Sequence, residues 1–443
     1  LPFRQRLLYS RGMELILDVH IHSHYSRATS KDMNIAALHR WGKQKGLTVM
    51  GTGDFTHPEW FAELQEKLEP AEDGLFTLKK EFTKEQEQYL PANLRGKPLR
   101  FLLTVEISNI YSKNGKVRKL HNLVIVPSFQ AASKLNARLS QIGNLASDGR
   151  PILGLDSKEL LKITLDTDPD ALFVPAHIWT PWFGMFGSQS GFDTLEEAFE
   201  ELSPHIRAIE TGLSSDPYMN WRVGDLDQVT MISNSDAHSP GKLGREANIV
   251  DCELNYRQLI EAIKTGDKRF VGTIEFYPEE GKYHYDGHRS CNVRLSPTEA
   301  KKLGNICSVC GKPLVLGVEH RIEDIATKPA EFVPTGARRK TVEYIVPLPE
   351  ILMQIYGVKS EHARPVQHAY QNLSARLGDE FSILRSVELQ AIRDAGFPDV
   401  ATAIGNMRSG KVTREPGYDG VFGTIKVITP DELESAQGQL SFV

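Results

Sequence analysis

The chain of 443 residues contains 4 cysteines, too few for a disulfide framework. It lacks any run of about 18 apolar residues, the length a helical membrane span needs, and shows no secretory pattern of a basic segment followed by an apolar one. Positive charge is not in excess: 52 Lys and Arg stand against 57 Asp and Glu, giving a net charge of −5. Contact with nucleic acid must then come from local basic clusters and not from a basic whole. No G-x-x-x-x-G-K-[ST] phosphate loop is present, which removes the NTPase reading, and there is no internal repeat or low-complexity tract. What remains is an ordinary globular composition, 40% hydrophobic and 25% charged, in a chain long enough for two or three domains. The first Met is Met13, and residues 1–12 read as a remnant outside the folded unit.

From Leu15 to about Phe276, short apolar runs alternate with helical patterns. The predicted strands are "LILDVHIH", "LTVMGTGD", "RFLLTVEI", "HNLVIVPS", "ALFVPAHI", "IRAIETG" and "VTMISNSD". Helical segments such as "NIAALHRWGKQKG" lie between them, the first expected to start from Asp32 as N-cap and to close at Gly46. This alternation predicts an α/β fold with parallel strands, closed into a barrel. The Glu- and Lys-rich stretch Glu59–Lys97 reads as an insertion with an exposed helix. Three domains are expected: 1–278, a small cysteine-bearing unit over 279–328, and a mainly helical region over 329–443.

The opening stretch "LDVHIHSHYSRATSKD" sets His20, His22 and His24 at alternate positions. Residues two apart on a strand share a face, so His20 and His22 can converge on one point. Further metal-binding side chains fall at or near the ends of other predicted strands: Asp54 and His57 in "GTGDFTH", Glu106 in "LLTVEIS", His121 in "KLHNLVIVPS", His177 in "LFVPAHIW", and Asp236 with His238 in "MISNSDAHS". Strand ends are where an α/β barrel concentrates its chemistry. Imidazoles with carboxylates suit zinc, manganese or iron, and several carboxylates can bridge neighbouring ions.

In the second unit, His288 and Cys291 precede Cys307 and Cys310. Two such pairs fill a tetrahedral site completely, which is the structural use of zinc. His284 and His320 are nearby alternatives for the fourth position, and Cys252 reads as a buried free thiol. A ribbon this short builds little core and depends on its metal to fold. Crowded cysteines of this kind suit a reduced, cytoplasmic protein.

The order H-x-H, Asp/His, Glu, His, His, D-x-H resembles the polymerase and histidinol phosphatase (PHP) domain. That resemblance implies a distorted (βα) barrel, two or three divalent ions (Zn, Mn, Mg or Fe) and phosphoesterase chemistry. Carried over by position, it implies His20, His22, Asp54, His57, Glu106, His121, His177, Asp236 and His238 as ligands. Among them, Asp236, His238, His20, His22 and Glu106 are the expected catalytic group. "DFTH" departs from the family, which often has its Asp and His adjacent; His24 matches no ligand position.

With the ribbon and helical tail added, the chain resembles the endonuclease Q family of DNA-repair enzymes. The stretches that carry this are "GTGDFTHPEW", "VPAHIWTPWFGMFG", "ETGLSSDPYMNW", "ISNSDAHSP" and the ribbon with "GVEHRIEDIA". The family implies cleavage 5′ of deaminated bases (hypoxanthine, uracil, xanthine) or abasic sites in double- or single-stranded DNA. It also implies a cytoplasmic, nucleoid-associated enzyme working beside other repair or replication proteins.

Trp179, Trp182, Phe183 and Phe186 are candidates to stack on an extruded base. Arg338 and Arg339, with Lys340, Arg408, Lys411 and Arg414, are candidates for backbone phosphates. A monomer is expected because no coiled-coil pattern is present. The competing readings are a small-molecule phosphoesterase of the histidinol-phosphatase type, an exonuclease with the same chemistry, and a non-catalytic DNA-binding scaffold.

Overall fold

The computed structural model describes residues 14–433; the remnant expected over 1–12 lies outside the described residues. The strands that position the site are, in chain order, β1 Glu14–Asp18, β2 Val49–Gly51, β3 Arg100–Lys113, β4 Lys116–Val126, β5 Leu172–Pro175, β6 Ala208–Glu210, β7 Thr230–Ile232, β8 Ala247–Asp251, β9 Phe270–Glu275 and β10 Thr341–Tyr344. They run in the spatial order β10-β9-β8-β1-β2-β3, with β4 on β3 and β5 on β4; β6 and β7 form a separate parallel pair. Single bonds and not continuous ladders close the ring. The Ile178 N–H donates to the Glu210 carbonyl at 3.1 Å, and the His22 N–H to the Ala237 carbonyl at 3.0 Å. The result is a distorted α/β barrel. Its short strands β2 and β5 are buried throughout, as strands covered on both faces must be.

The expected parallel arrangement holds for β1, β2 and the start of β3 and fails next to them. β3 and β4 form a long antiparallel hairpin in register Ser108↔His121. Asn114 and Gly115 turn it, both at positive φ (52° and 72°), the conformation that an Asn-Gly hairpin turn supplies. The strand β8 is antiparallel to β1 as well. The first helix, Ile35–Lys45, starts two residues later than expected: Asn34, not Asp32, caps it by accepting from the Ala37 N–H, and Gly46 ends it at φ 92°.

The insertion holds more than an exposed helix. Helix Lys80–Glu87 buries none of its residues, but helix Pro58–Lys67 buries Trp60 and Leu64, and a hairpin of Leu68–Pro70 with Phe76–Leu78 joins the main sheet.

The C-terminal region is helical, as expected, over Leu348–Tyr356, Arg364–Leu377, Leu389–Asp394 and Pro398–Arg408. It is not separate from the barrel: β10 pairs in parallel with β9. One continuous core joins Ile16, Phe101 and Ile249 of the barrel to Leu352, Val366 and Ile404 of the helices. The cysteine unit has only a small core of its own around Ala300, Cys307 and Leu314. A final hairpin, Thr413–Glu415 with Thr424–Lys426, returns to clasp that unit, where the Tyr285 N–H donates to the Gly417 carbonyl at 2.9 Å. Among the described residues, no helix is long and apolar enough to cross a membrane.

Candidate metal centre

Two groups of side chains converge at the strand ends and share Glu106: His20, His22, Glu106 and Asp236 in one, Glu106, His121 and His177 in the other. β1 leads into His20 and His22, the middle of β3 carries Glu106, β4 carries His121, and the loops after β5 and β7 carry His177 and Asp236. Glu106 Oε2 lies 3.4 Å from His20 Nε2 and 3.1 Å from His22 Nε2, while Oε1 lies 2.6 Å from His121 Nδ1 and 2.9 Å from His177 Nε2. Asp236 Oδ1 stands 3.1 Å from His22 Nε2. In spite of that proximity, His20 Nε2, His22 Nε2 and Asp236 Oδ1 are buried without a hydrogen-bond partner. These atoms face a common point and not one another. Buried lone pairs without partners are costly, and this set of imidazole and carboxylate donors fits divalent metal.

The remaining nitrogens are held from behind. Glu210, fully buried, contacts His20 Nδ1 at 2.9 Å and also accepts from the His177 N–H and the Asn234 amide. Asp54 Oδ1 takes His22 Nδ1 at 3.0 Å, and its Oδ2 accepts from the Ser23 N–H, Ser23 Oγ and Ser26 Oγ. Asp54 was expected as a ligand; the structure places it outside both groups, behind His22, where a carboxylate orients an imidazole. Glu210 was not singled out, although it ends a predicted strand just as Glu106 does. Arg150 was also missed: its Nη1 donates to Glu106 Oε2 at 2.9 Å from a side chain that is 28% exposed. Its loop, "SDGRP", carries no recognisable signal.

His57 and His238, also expected as ligands, lie outside both groups. His57 sits at the N-cap of helix Pro58–Lys67 with its ring stacked 4.3 Å from Tyr25. His238 lies at the rim, its ring 4.5 Å from His22 and its Nδ1 donating to the Asp236 carbonyl at 2.9 Å. His24 packs beside Tyr25 and Trp60.

Backbone strain gathers here. Asp54, His177 and Asp236 all have positive φ (53°, 28° and 47°), a conformation that costs a non-glycine residue about 1–3 kcal/mol and tends to persist where function demands it. The electrostatics are those of a carboxylate-rich cavity. Burial opposes charge on His20 and His22, yet Glu210 and Glu106 raise the first well above its ordinary value, and Asp54 and Asp236 do the same to the second. Burial also opposes charge on Glu106 and Asp236, and the surrounding cations nevertheless hold both low. For His121 burial wins and pushes it down to about 4.

The candidate substrate contacts divide. Trp182 is 49% exposed and Phe183 half-buried against His121. Trp179 and Phe186 are buried and pack on each other at 5.1 Å, with Trp179 Nε1 donating to Asn220. Neither can meet a base without unpacking the core, so the expectation is corrected for both. Arg338 and Arg339 are exposed but precede β10, whose Thr341 pairs with Gly272 near the start of β9. That is the end of the barrel opposite the metal centre. Lys340 and Arg408 are spent on backbone carbonyls, Lys411 on Glu432 and Arg414 on Glu279.

In the second unit, His288, Cys291, Cys307 and Cys310 form one compact group, with Cys310 Sγ 3.6 Å from His288 Nδ1. His320 is instead bound to Asp286 at 2.5 Å, and His284 is not in the group. Cys252 stands apart, half-buried, donating to the Glu253 carbonyl.

A family model described as the MJ0043 C-terminal domain matches residues 347–411. The uncharacterized protein YqxK of Bacillus subtilis is 27% identical over 397 residues, 87% of this chain and 90% of its own length. The uncharacterized protein MJ0043 of Methanocaldococcus jannaschii is 27% identical over 283 residues, 61% of this chain but only 34% of its own length. The chain thus spans about a third of that archaeal relative. Among solved structures, the lesion-specific endonuclease PfuEndoQ of Pyrococcus furiosus matches with a TM-score of 0.79 at 28% identity, over 96% of this chain and 99% of that one. A complex of endonuclease Q with a 27-mer duplex carrying an abasic lesion at its active site matches with a TM-score of 0.79 at 29% identity, over 95% and 98%.

Proposed function

Because the chain belongs to the endonuclease Q family, we infer that it is a metal-dependent DNA endonuclease that hydrolyses the phosphodiester 5′ of a deaminated base or abasic site. The observation that carries this reading is the pair of ligand groups sharing Glu106, with unpartnered buried donors aimed between them. Divalent ions held by His20, His22, Glu106, His121, His177 and Asp236 would supply Lewis-acid activation of water and neutralise charge on the phosphate.

The protein's own groups do the rest. Glu210 and Asp54 fix which nitrogens of His20 and His22 face inward. Arg150 brings a fixed positive charge beside Glu106, suited to an anionic diester. His238 commits Nδ1 to the Asp236 carbonyl, so Nε2 is the nitrogen that can hold or pass a proton at the reacting oxygens. The group His288, Cys291, Cys307 and Cys310 would take one structural zinc, and the segments 1–278, 279–328 and 329–443 would act together on DNA.

The test is a labelled duplex with a single deoxyinosine, beside its undamaged twin, incubated with Mg²⁺ or Mn²⁺. One nick 5′ of the lesion, absent from the twin and lost in Asp236→Ala while DNA binding persists, is the expected result. A simple phosphomonoester turned over while both duplexes stay intact would move the site to small-molecule phosphoesterase chemistry.

A further inference from the structure

The strand β7 has a ladder on one side only, with β6; on its other flank it reaches β1 and β8 through side chains. Asn248 of β8, paired with Leu17 of β1, spans that seam. Its Oδ1 accepts from the Ser233 N–H at 3.0 Å and its Nδ2 donates to the Ser233 carbonyl at 2.8 Å, the two bonds that a residue of a neighbouring strand would make. The same Nδ2 donates to Asn234 Oδ1 at 3.1 Å.

Asn234 carries the connection on to the metal centre. Its Oδ1 also accepts from the Val19 N–H at 2.9 Å, directly before His20. Its Nδ2 donates at 2.8 Å to Glu210 Oε1, the oxygen that lies 2.9 Å from His20 Nδ1. Two more bonds hold the next residue: Asp18 Oδ1 accepts from the Ser235 N–H at 3.1 Å, and Arg245 Nε donates to the Ser235 carbonyl at 2.9 Å. Ser233 and Ser235 thus have both backbone groups tied by side chains from elsewhere in the barrel, immediately before Asp236 at its φ of 47°.

Asn234 and Asn248 are fully buried, and neither belongs to the ligand groups. A buried amide is costly unless its hydrogen bonds are made, so packing alone does not call for one at either place. Asn234 has to accept for Val19 and donate to Glu210 from one short side chain, which an ionised Asp, an acceptor only, cannot do.

We propose that Asn234 and Asn248 are positioning residues of the metal centre: together they set Glu210, the end of β1 and the Asp236 loop in place before any ion arrives, and so govern how tightly His20 and Asp236 hold one. This deepens the metal-dependent reading above and rests on it. Ligands already held in their productive geometry by surrounding hydrogen bonds bind without an ordering cost. A loosened Glu210 lets the His20 ring turn, and a loosened loop lets Asp236 relax from its strained backbone. All ligands remain, so the loss appears as weaker affinity that more metal overcomes.

The experiment uses the full chain after chelator treatment, with Mn²⁺ as the probe. In wild type, hydrogen exchange at the Val19 and Ser233 amides is slow before Mn²⁺ is added. Asn234→Ala and Asn248→Ala each weaken Mn²⁺ binding about tenfold or more by isothermal titration, and exchange at Val19 speeds up in both. Their single-turnover cleavage of a deoxyinosine duplex falls at low Mn²⁺ and returns close to the wild-type rate at saturation. Exchange that is fast in metal-free wild type and slows only with Mn²⁺ shows that the ion orders the loop, and overturns the proposal even if neither variant folds. Folded variants with wild-type Mn²⁺ affinity, or with a lost rate that saturating Mn²⁺ does not restore, overturn it as well, because a merely structural amide lowers stability alone. Wild type that binds no Mn²⁺ in the barrel overturns the metal-dependent reading itself. Wild type that binds Mn²⁺ and cuts no lesion overturns only the endonuclease reading, since the affinity and exchange measurements need no cleavage.

Discussion

His20 Nδ1 lies 2.9 Å from Glu210 Oε1, and that contact decides which nitrogen of His20 faces the metal position. With Nδ1 engaged, the unpartnered Nε2 is turned toward Glu106 and Asp236. A carboxylate behind an imidazole fixes its tautomer and raises its basicity as a ligand. Glu210→Gln is therefore expected to weaken Mn²⁺ binding about 10- to 100-fold and to leave the far-ultraviolet circular dichroism unchanged. Isothermal titration of the metal-free protein checks it; unchanged affinity in a folded variant would remove Glu210 from the site.

The same cluster predicts opposite pH trends with and without metal. In the metal-free protein, His20 and His22 are raised above the ordinary 6.5. Folding then favours their protonated forms, and their contribution is fully present below about 6.5 and lost as pH rises through the folded values. Glu106 and Asp236 are held below 4.5 and 3.8, so their contribution is present above those values and is lost as pH falls through the lowered ones. These four groups thus stabilise the metal-free fold most between about 4.5 and 6.5, against which His121, pushed down to about 4, works as pH falls below 6.5. Metal must displace the protons from both histidines, so its stabilising effect grows with pH. The rise in Tm on adding Mn²⁺ to chelator-treated protein should be larger at about pH 8 than at about pH 5.5; an equal rise at both speaks against histidine ligation.

How much of this was legible in the sequence depends on what each residue type encodes. His20, His22, Glu106, His121, His177 and Asp236 stood out because side chains able to bind metal ended or opened apolar runs, and topology then brought the runs together. Asp54 stood out for the same reason and turned out to serve His22 from behind. Type and position are alike for a ligand and for the partner of a ligand, and only the direction of the side chain separates them. Glu210 carried the same strand-end signal and was passed over. The aromatic loop was read as a unit, yet Trp179 and Phe186 pack inward while Trp182 points out, a difference that local sequence does not record. Strand direction was misjudged at β3 and β4, although Asn114-Gly115 is a hairpin signal in plain view. Arg150 left no trace because a loop arginine acquires its role from the carboxylate it meets.

Arg150 carries its own prediction. Its Nη1 donates at 2.9 Å to the Glu106 oxygen that faces His20 and His22, and 28% of the side chain is exposed. Arg150→Ala should lower the rate of DNA cleavage about 10²- to 10³-fold, the usual cost of losing a charge aimed at the transition state. Metal affinity should change far less, since Arg150 is not a ligand. Arg150→Lys should recover part of the rate, because a point charge replaces the guanidinium fork only partly. Single-turnover cleavage alongside Mn²⁺ titration separates these effects, and loss of metal binding in step with rate would assign Arg150 a purely structural part.

The cysteine unit makes the last case, because its own apolar core is too small to hold it. Ala300, Cys307 and Leu314 are its buried cluster, so a metal held by the group His288, Cys291, Cys307 and Cys310 would supply much of its stability. Burial raises the Cys291 thiol to about 11, whereas backbone donors outweigh burial at Cys307 and bring it down to about 7, and a cation would be needed to hold both as thiolates. Cys307→Ser should reduce bound zinc by about one ion per chain, measured by mass spectrometry of the native protein. Proteolysis should then open sites within 286–316, while the barrel, which shares its core with the C-terminal helices, stays resistant. The clasp from the C-terminal hairpin to Tyr285 would loosen with it, so lesion binding should fall even though the metal centre in the barrel keeps its ions. Cleavage that survives zinc loss unchanged would mean that the unit holds its shape through the clasp alone.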